Sequence, residues 1–138
     1  MEYHAATGDP KTLSALSKMI DLYLYDLESG EVEKLTDDFT SNLHPVWSSD
    51  GNYIVFSQEK INSESGRRKY CFTLAIFDLK NKQAKELDVF PGAFNLNPLF
   101  SSDNKSIYFL SDADGFRNLF KYREKSAARA LAFLFVKR

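Results

Sequence analysis

One stretch of this 138-residue chain is written twice. Asn42-Leu43-His44-Pro45-Val46-Trp47-Ser48-Ser49-Asp50 returns 53 residues later as Asn95-Leu96-Asn97-Pro98-Leu99-Phe100-Ser101-Ser102-Asp103. Carried on to Phe56 and Phe109, the two copies share eight identities in fifteen positions. Unrelated segments of average composition would share about one. Trp47 against Phe100 and Val46 against Leu99 keep apolar bulk at the remaining positions. A second element precedes each copy: Leu22 to Leu27 (LYLYDL) matches Leu74 to Leu79 (LAIFDL), and Leu119 to Arg123 (LFKYR) is a decayed third version. Such a chain must build one supersecondary unit repeatedly and bury each unit against its neighbour.

The unit is made of strands. Tyr53 to Phe56 and Ile107 to Leu110 are short aromatic and β-branched runs bounded by turn residues. Asp50-Gly51 predicts a two-residue hairpin turn, because Gly accepts positive φ and Asp tolerates it. Asn104 stands at the glycine position of the second copy and is the next most tolerant residue. The expected hairpins are 22–27/32–36, 45–48/53–57, 73–78/83–87 and 98–101/106–110. A helix is admitted only before Asp21 or after Glu124. Four short antiparallel strands in about 45–53 residues is the size of a β-propeller blade. Trp47, repeated as Phe100, is expected in the packed interior rather than on a stacking platform for bases or sugars.

Leu35-Thr36, followed by His44-Pro45-Val46-Trp47-Ser48-Ser49-Asp50-Gly51 and Ile54 to Phe56, resembles the TolB-like propeller repeat. Its usual form is LT, a gap, then P-x-W-S-P-D-G-x-x-I-x-F. Ser111-Asp112-Ala113-Asp114-Gly115 with Asn118-Leu119-Phe120 resembles the next part of that repeat. Ser49 and Ser102 depart from it where proline is usual, Asn104 where glycine is, and Arg123 where aspartate is. The resemblance implies an all-β chain of antiparallel four-stranded blades forming a partial propeller. Residues 21–36 would be half a blade, 44–88 a full blade and 97–123 a partial one. Residues 1–20 read as a leader outside the repeat and 124–138 as a divergent tail. Three arrangements accommodate about two and a half blades: part of a longer propeller, copies assembling into a ring, or an open stack capped by its termini.

Chemistry is sparse. No G-x-S-x-G elbow or phosphate-binding glycine loop is present, so catalysis within the chain is not expected and no cofactor is assigned. His4 and His44 lack the converging ligands a metal needs. Asp112 and Asp114 fit the repeat's turn better than a calcium loop. The single cysteine, Cys71, allows no internal disulfide. A net charge of −1 and a pI near 6.1 exclude a broad nucleic-acid footprint. The longest apolar run, residues 130–136, is far too short to span a bilayer as a helix.

The expected role is therefore a non-catalytic module that binds a protein or peptide. The alternatives are an accessory propeller segment of a prolyl-oligopeptidase-like peptidase or of a metal-dependent polysaccharide lyase. Open blade faces would also favour self-association. The resemblance implies a periplasmic or envelope setting; the N-terminal residues show no secretory signal pattern, and taken alone they point to the cytoplasm. In a four-stranded meander the connections alternate between the two ends of the blade. Residues 37–44, 58–71 and 89–97 then share one end, with 58–71 read as an enlarged charged loop. Arg67, Arg68, His44 and Asn97 are the candidate partner contacts, because extra length on a rigid scaffold is where binding tends to reside.

Overall fold

The computed structural model describes residues 2–6, 20–64, 67–124 and 131–136. Within them the chain is all-β, eleven antiparallel-paired strands in three sheets, with no helix. The first sheet is β1 (Glu2–Ala6), β2 (Asp21–Tyr25) and β3 (Val32–Lys34) in that order. The second is β4 (Asn42–Trp47), β5 (Tyr53–Glu64), β6 (Arg67–Asp78) and β7 (Gln83–Glu86), again in chain order. The third comprises β8 (Asn95–Phe100), β9 (Ile107–Ser111), β10 (Asn118–Glu124) and β11 (Leu131–Val136). Each sheet is one blade. All four expected hairpins are present, and the two ends of the chain contribute strands where described: β1 pairs with β2, and β11 with β10. The remaining stretches in which a terminal helix was admitted, 7–19 and 125–130, lie outside the described residues.

Side chains alternate across each strand, and in the middle blade both faces are buried. Ile54, Phe56, Ala75 and Phe77 pack with Leu22 of the first blade, with Trp47, Leu35 and Leu79 half-buried at the margin. Val55 and Leu74 pack with Ile107, Phe109, Phe120 and Tyr122 of the third blade. Phe109 stacks on Phe120 with centroids 5.9 Å apart, and Phe90 meets Phe120 edge-on at 4.7 Å. The run Tyr53 to Phe56 is apolar at consecutive positions because both its faces meet a neighbour. Trp47, expected in the interior, flanks it instead; the fully buried ring at this interface is Phe56.

Two expectations are corrected. The Asp50-Gly51 turn is longer than two residues. The last ladder pair is Trp47 with Ile54, after which Ser48 N–H donates to Tyr53 C=O at 2.8 Å and Gly51 N–H to Ser48 C=O at 3.0 Å. Buried Ser48 organises the turn: its hydroxyl donates to Asp50 Oδ1 at 2.6 Å and accepts from Tyr53 N–H at 3.0 Å. Ser101 and Asp103 repeat this arrangement, with Asn104 at φ 59° where Gly51 has 74°. Residues 58–64 and 67–71 are likewise strand rather than loop. β5 and β6 stay paired from Tyr53 with Asp78 out to Glu64 with Arg67, a two-stranded ribbon running past the ends of β4 and β7. Its dense charge hides a strand period that carries few apolar residues.

Candidate functional site

The blade ends are chemically distinct. At one end lie the turns after β2, β4, β6 and β8, each built on an aspartate. Asp26 accepts from Glu28 and Ser29 N–H, and Asp78 from Lys80 and Asn81 N–H. Asp50 and Asp103 accept from Ser48 and Ser101 hydroxyls. Backbone donors hold Asp26 and Asp78, and serine hydroxyls Asp50 and Asp103, below the usual carboxylate range. Neighbouring turns also touch. Ser49 N–H donates to Asn104 Oδ1 at 3.0 Å, and Asn104 Nδ2 donates back to Ser49 Oγ at 2.7 Å. A proline at 49 has no N–H and a glycine at 104 no side-chain amide, so the two departures from the usual repeat complete each other.

The opposite end carries the ribbon, the linkers between blades and the β9–β10 connection. Glu59 N–H donates to Ser41 C=O at 2.8 Å, and Ser41 N–H to Glu59 Oε2 at 3.1 Å, fixing the ribbon base to the first linker. On the other side Phe72 N–H donates to Ala93 C=O, and Phe72 pairs with Phe94 in a single parallel bridge. Phe94 N–H in turn donates to Asp112 Oδ1 at 2.8 Å. A cavity of about 360 Å³ opens between the ribbon base and the second linker, lined by Lys60, Cys71, Phe72, Glu86 and Phe90. Lys60 and Glu86 form an ion pair beside it. Another, of about 430 Å³, lies between Phe90–Phe94 and Asp112–Ala113.

The four candidate contacts fall into two pairs. Arg67 and Arg68 begin β6 on the ribbon, opposite Glu64 and Ser63. His44 and Asn97 sit within β4 and β8, not in the linkers, each at a bulge where the register shifts. Both are exposed and take left-handed backbone conformations, at φ 54° and 52°. Partial burial lowers the His44 imidazole below its ordinary value. β4 is the edge strand of its sheet, with β5 between it and β6. The second blade therefore carries the His44 bulge and the arginine pair on separate strands.

A pair of residues without an assigned role proves central to the assembly. Asn42 and Asn95, identical in the repeat, are fully buried. Asn42 Nδ2 lies 3.3 Å from Ile20 C=O and 3.2 Å from Asp38 Oδ1; Asn95 Nδ2 donates to Phe72 C=O at 2.9 Å and Phe90 C=O at 3.0 Å. Each ties the first strand of its blade to the preceding blade. Their identity across the repeat was the available signal. Asn95 Oδ1 and Ser57 Oγ are buried without a partner among the described residues. Also among the described residues, no three His, Cys, Asp or Glu side chains gather as a metal site.

Two four-stranded sheets, each opening on a bulged first strand, packed in series with a sheet of three described strands, define a β-propeller segment. Its fold is TolB-like. Solved structures that share it include TolB from Acinetobacter baumannii (24% identity, TM-score 0.60, over 86% of this chain), the tricorn protease (11%, 0.64, 87%) and a putative TolB from Agrobacterium tumefaciens (19%, 0.58, 99%). The chain spans 27%, 14% and 47% of their respective lengths. No family model and no curated protein matches the sequence.

Proposed function

We propose that this chain is a non-catalytic protein- or peptide-binding segment of a TolB-like propeller, with its partner at the ribbon end. The observation that carries this reading is the ribbon itself. The third blade connects the corresponding strands, β9 and β10, by six residues, 112–117, whereas β5 and β6 run on far beyond their sheet neighbours. Extended backbone with exposed Ile61 and Tyr70, beside linkers exposing Phe39 and Phe94, is a surface the packing of the blades does not require. Arg67 and Arg68, at the start of β6, lie on the ribbon strand this partner would meet; His44 and Asn97 would contribute only to a partner reaching the bulged first strands. A periplasmic or envelope location accompanies the reading.

The test is to select protein or peptide binders by display and repeat binding with residues 61–68 deleted. The deletion joins Lys60 to Lys69 and keeps the Lys60–Cys71 pair. Binding should fall at least tenfold, and unchanged affinity would move the partner to the opposite end.

A second reading, an accessory propeller segment of a peptidase, is favoured by one observation, the shared fold with the tricorn protease. A hydrolase domain continuous with this segment would decide for it.

A further inference from the structure

We propose that the outer edge of β6, at Arg68 and Tyr70, is a site of strand addition for an extended, acidic segment of a partner protein. The inference rests on the interaction reading above and names the chemistry of its partner.

Hydrogen-bonding direction alternates along an antiparallel strand, and the contacts of Leu74 and Phe72 fix its phase here. Leu74 C=O accepts from Leu87 N–H, and Phe72 uses both its backbone groups on the second linker, N–H to Ala93 C=O and C=O from Asn95 Nδ2. Even-numbered residues of β6 therefore face away from β5. Beyond Phe72 the next outward-facing backbone groups are those of Tyr70 and Arg68, and among the described residues no strand pairs with them. The linker already adds one parallel bridge to this edge, at Phe72 with Phe94. A partner strand entering at Tyr70 would prolong an arrangement the chain itself begins.

Side chains supply the selectivity. Tyr70 lies opposite Ile61, and the two are 43% and 48% exposed. Phe72, two residues along the same face, contacts Phe94 with centroids 5.9 Å apart. An apolar strip thus flanks the open edge, suited to a segment with apolar residues at alternate positions. Arg67, Arg68 and Lys69 place three consecutive positive charges on the same strand. They oppose pairing with a second copy, which brings the same charges, and favour acidic residues between the apolar ones.

The test uses the full chain and three fluorescein-labelled decapeptides. One alternates Val or Ile with Asp or Glu, the second replaces the acids by Lys and Arg, and the third is the acidic peptide with a central proline. The acidic peptide should bind at least tenfold tighter than either control. Tyr70→Pro removes an outward N–H that the β5–β6 ladder does not use, and should abolish binding; circular dichroism checks that the fold remains. The double variant R67E/R68E, which leaves the backbone edge intact, should reverse the preference toward the basic peptide. Equal binding of all three peptides, no binding, or an unaffected Tyr70→Pro variant would overturn the proposal. So would a dimer in sedimentation that Tyr70→Pro dissolves, because the occupant would then be a second copy. If strand addition fails while selected binders still require 61–68, the binding end stands and only its mode is wrong.

Discussion

His44 and Asn97 hold the same left-handed backbone in successive blades, and each precedes a proline. That conformation costs a β-branched residue most and glycine least. His44→Gly should leave stability within about 1 kcal/mol of the native protein in urea unfolding, whereas His44→Val should lose more than the glycine variant. The buried asparagines behave differently. Asn42→Ala removes the amide that donates to Asp38 Oδ1 and Thr40 C=O of the preceding linker and accepts from Gln58 Nε2 on β5, and should cost about 1–3 kcal/mol. The apolar interfaces set a third level: Phe56→Ala should cost about 3–5 kcal/mol, more than Trp47→Ala at the margin of the same cluster. A Trp47 variant as damaging as the Phe56 one would contradict the packing described. The repeat made Trp47 conspicuous, but its identity alone could not separate a ring inside the interface from one at its rim. Asn42 was equally visible, yet a buried amide's value depends on carbonyls brought to it by another blade.

At the scale of elements, the turn aspartates make stability depend on acid. Asp26, Asp50, Asp78 and Asp103 have lowered folded-state values, against an ordinary value of 3.8. Their contribution is therefore fully present above that value and is lost as pH falls through the lower folded values. Urea midpoints should decline from about pH 5 downward, and the fourfold Asp→Asn variant should show a flatter decline. The Ser49–Asn104 exchange gives a separate test. A cycle of Ser49→Ala, Asn104→Gly and the double variant should show a coupling of about 0.5–1 kcal/mol; additivity would mean that the two turns do not support each other. Strands and hairpins were legible because turn residues and apolar runs recur with the repeat. The ribbon was not, because Gln58 to Glu64 has only Ile61 as an apolar residue and its pairing stabilises backbone rather than core.

At the scale of the molecule, among the described residues the middle blade packs against a neighbour on both sides and each outer blade on one. Tyr23 and Tyr25 alternate with buried Leu22 and Leu24 in the first blade, and Tyr108 and Leu110 with buried Ile107 and Phe109 in the third. In a closed propeller such faces meet further blades. The segment alone should therefore self-associate as concentration rises, and charging one face by Leu110→Glu should shift sedimentation toward monomer. A chain that stays monomeric at every concentration would show those faces to be adequately covered. The central claim, that an open-edged ribbon rather than a loop projects from the middle blade, is tested most directly by residue-resolved amide hydrogen exchange across 59–72. Lys60, Asn62, Lys69 and Cys71, whose N–H groups face the partner strand, should exchange at least tenfold more slowly than outward-facing Ile61, Ser63, Arg68 and Tyr70. Uniformly fast exchange with no alternation would contradict the ribbon and the binding edge proposed on it.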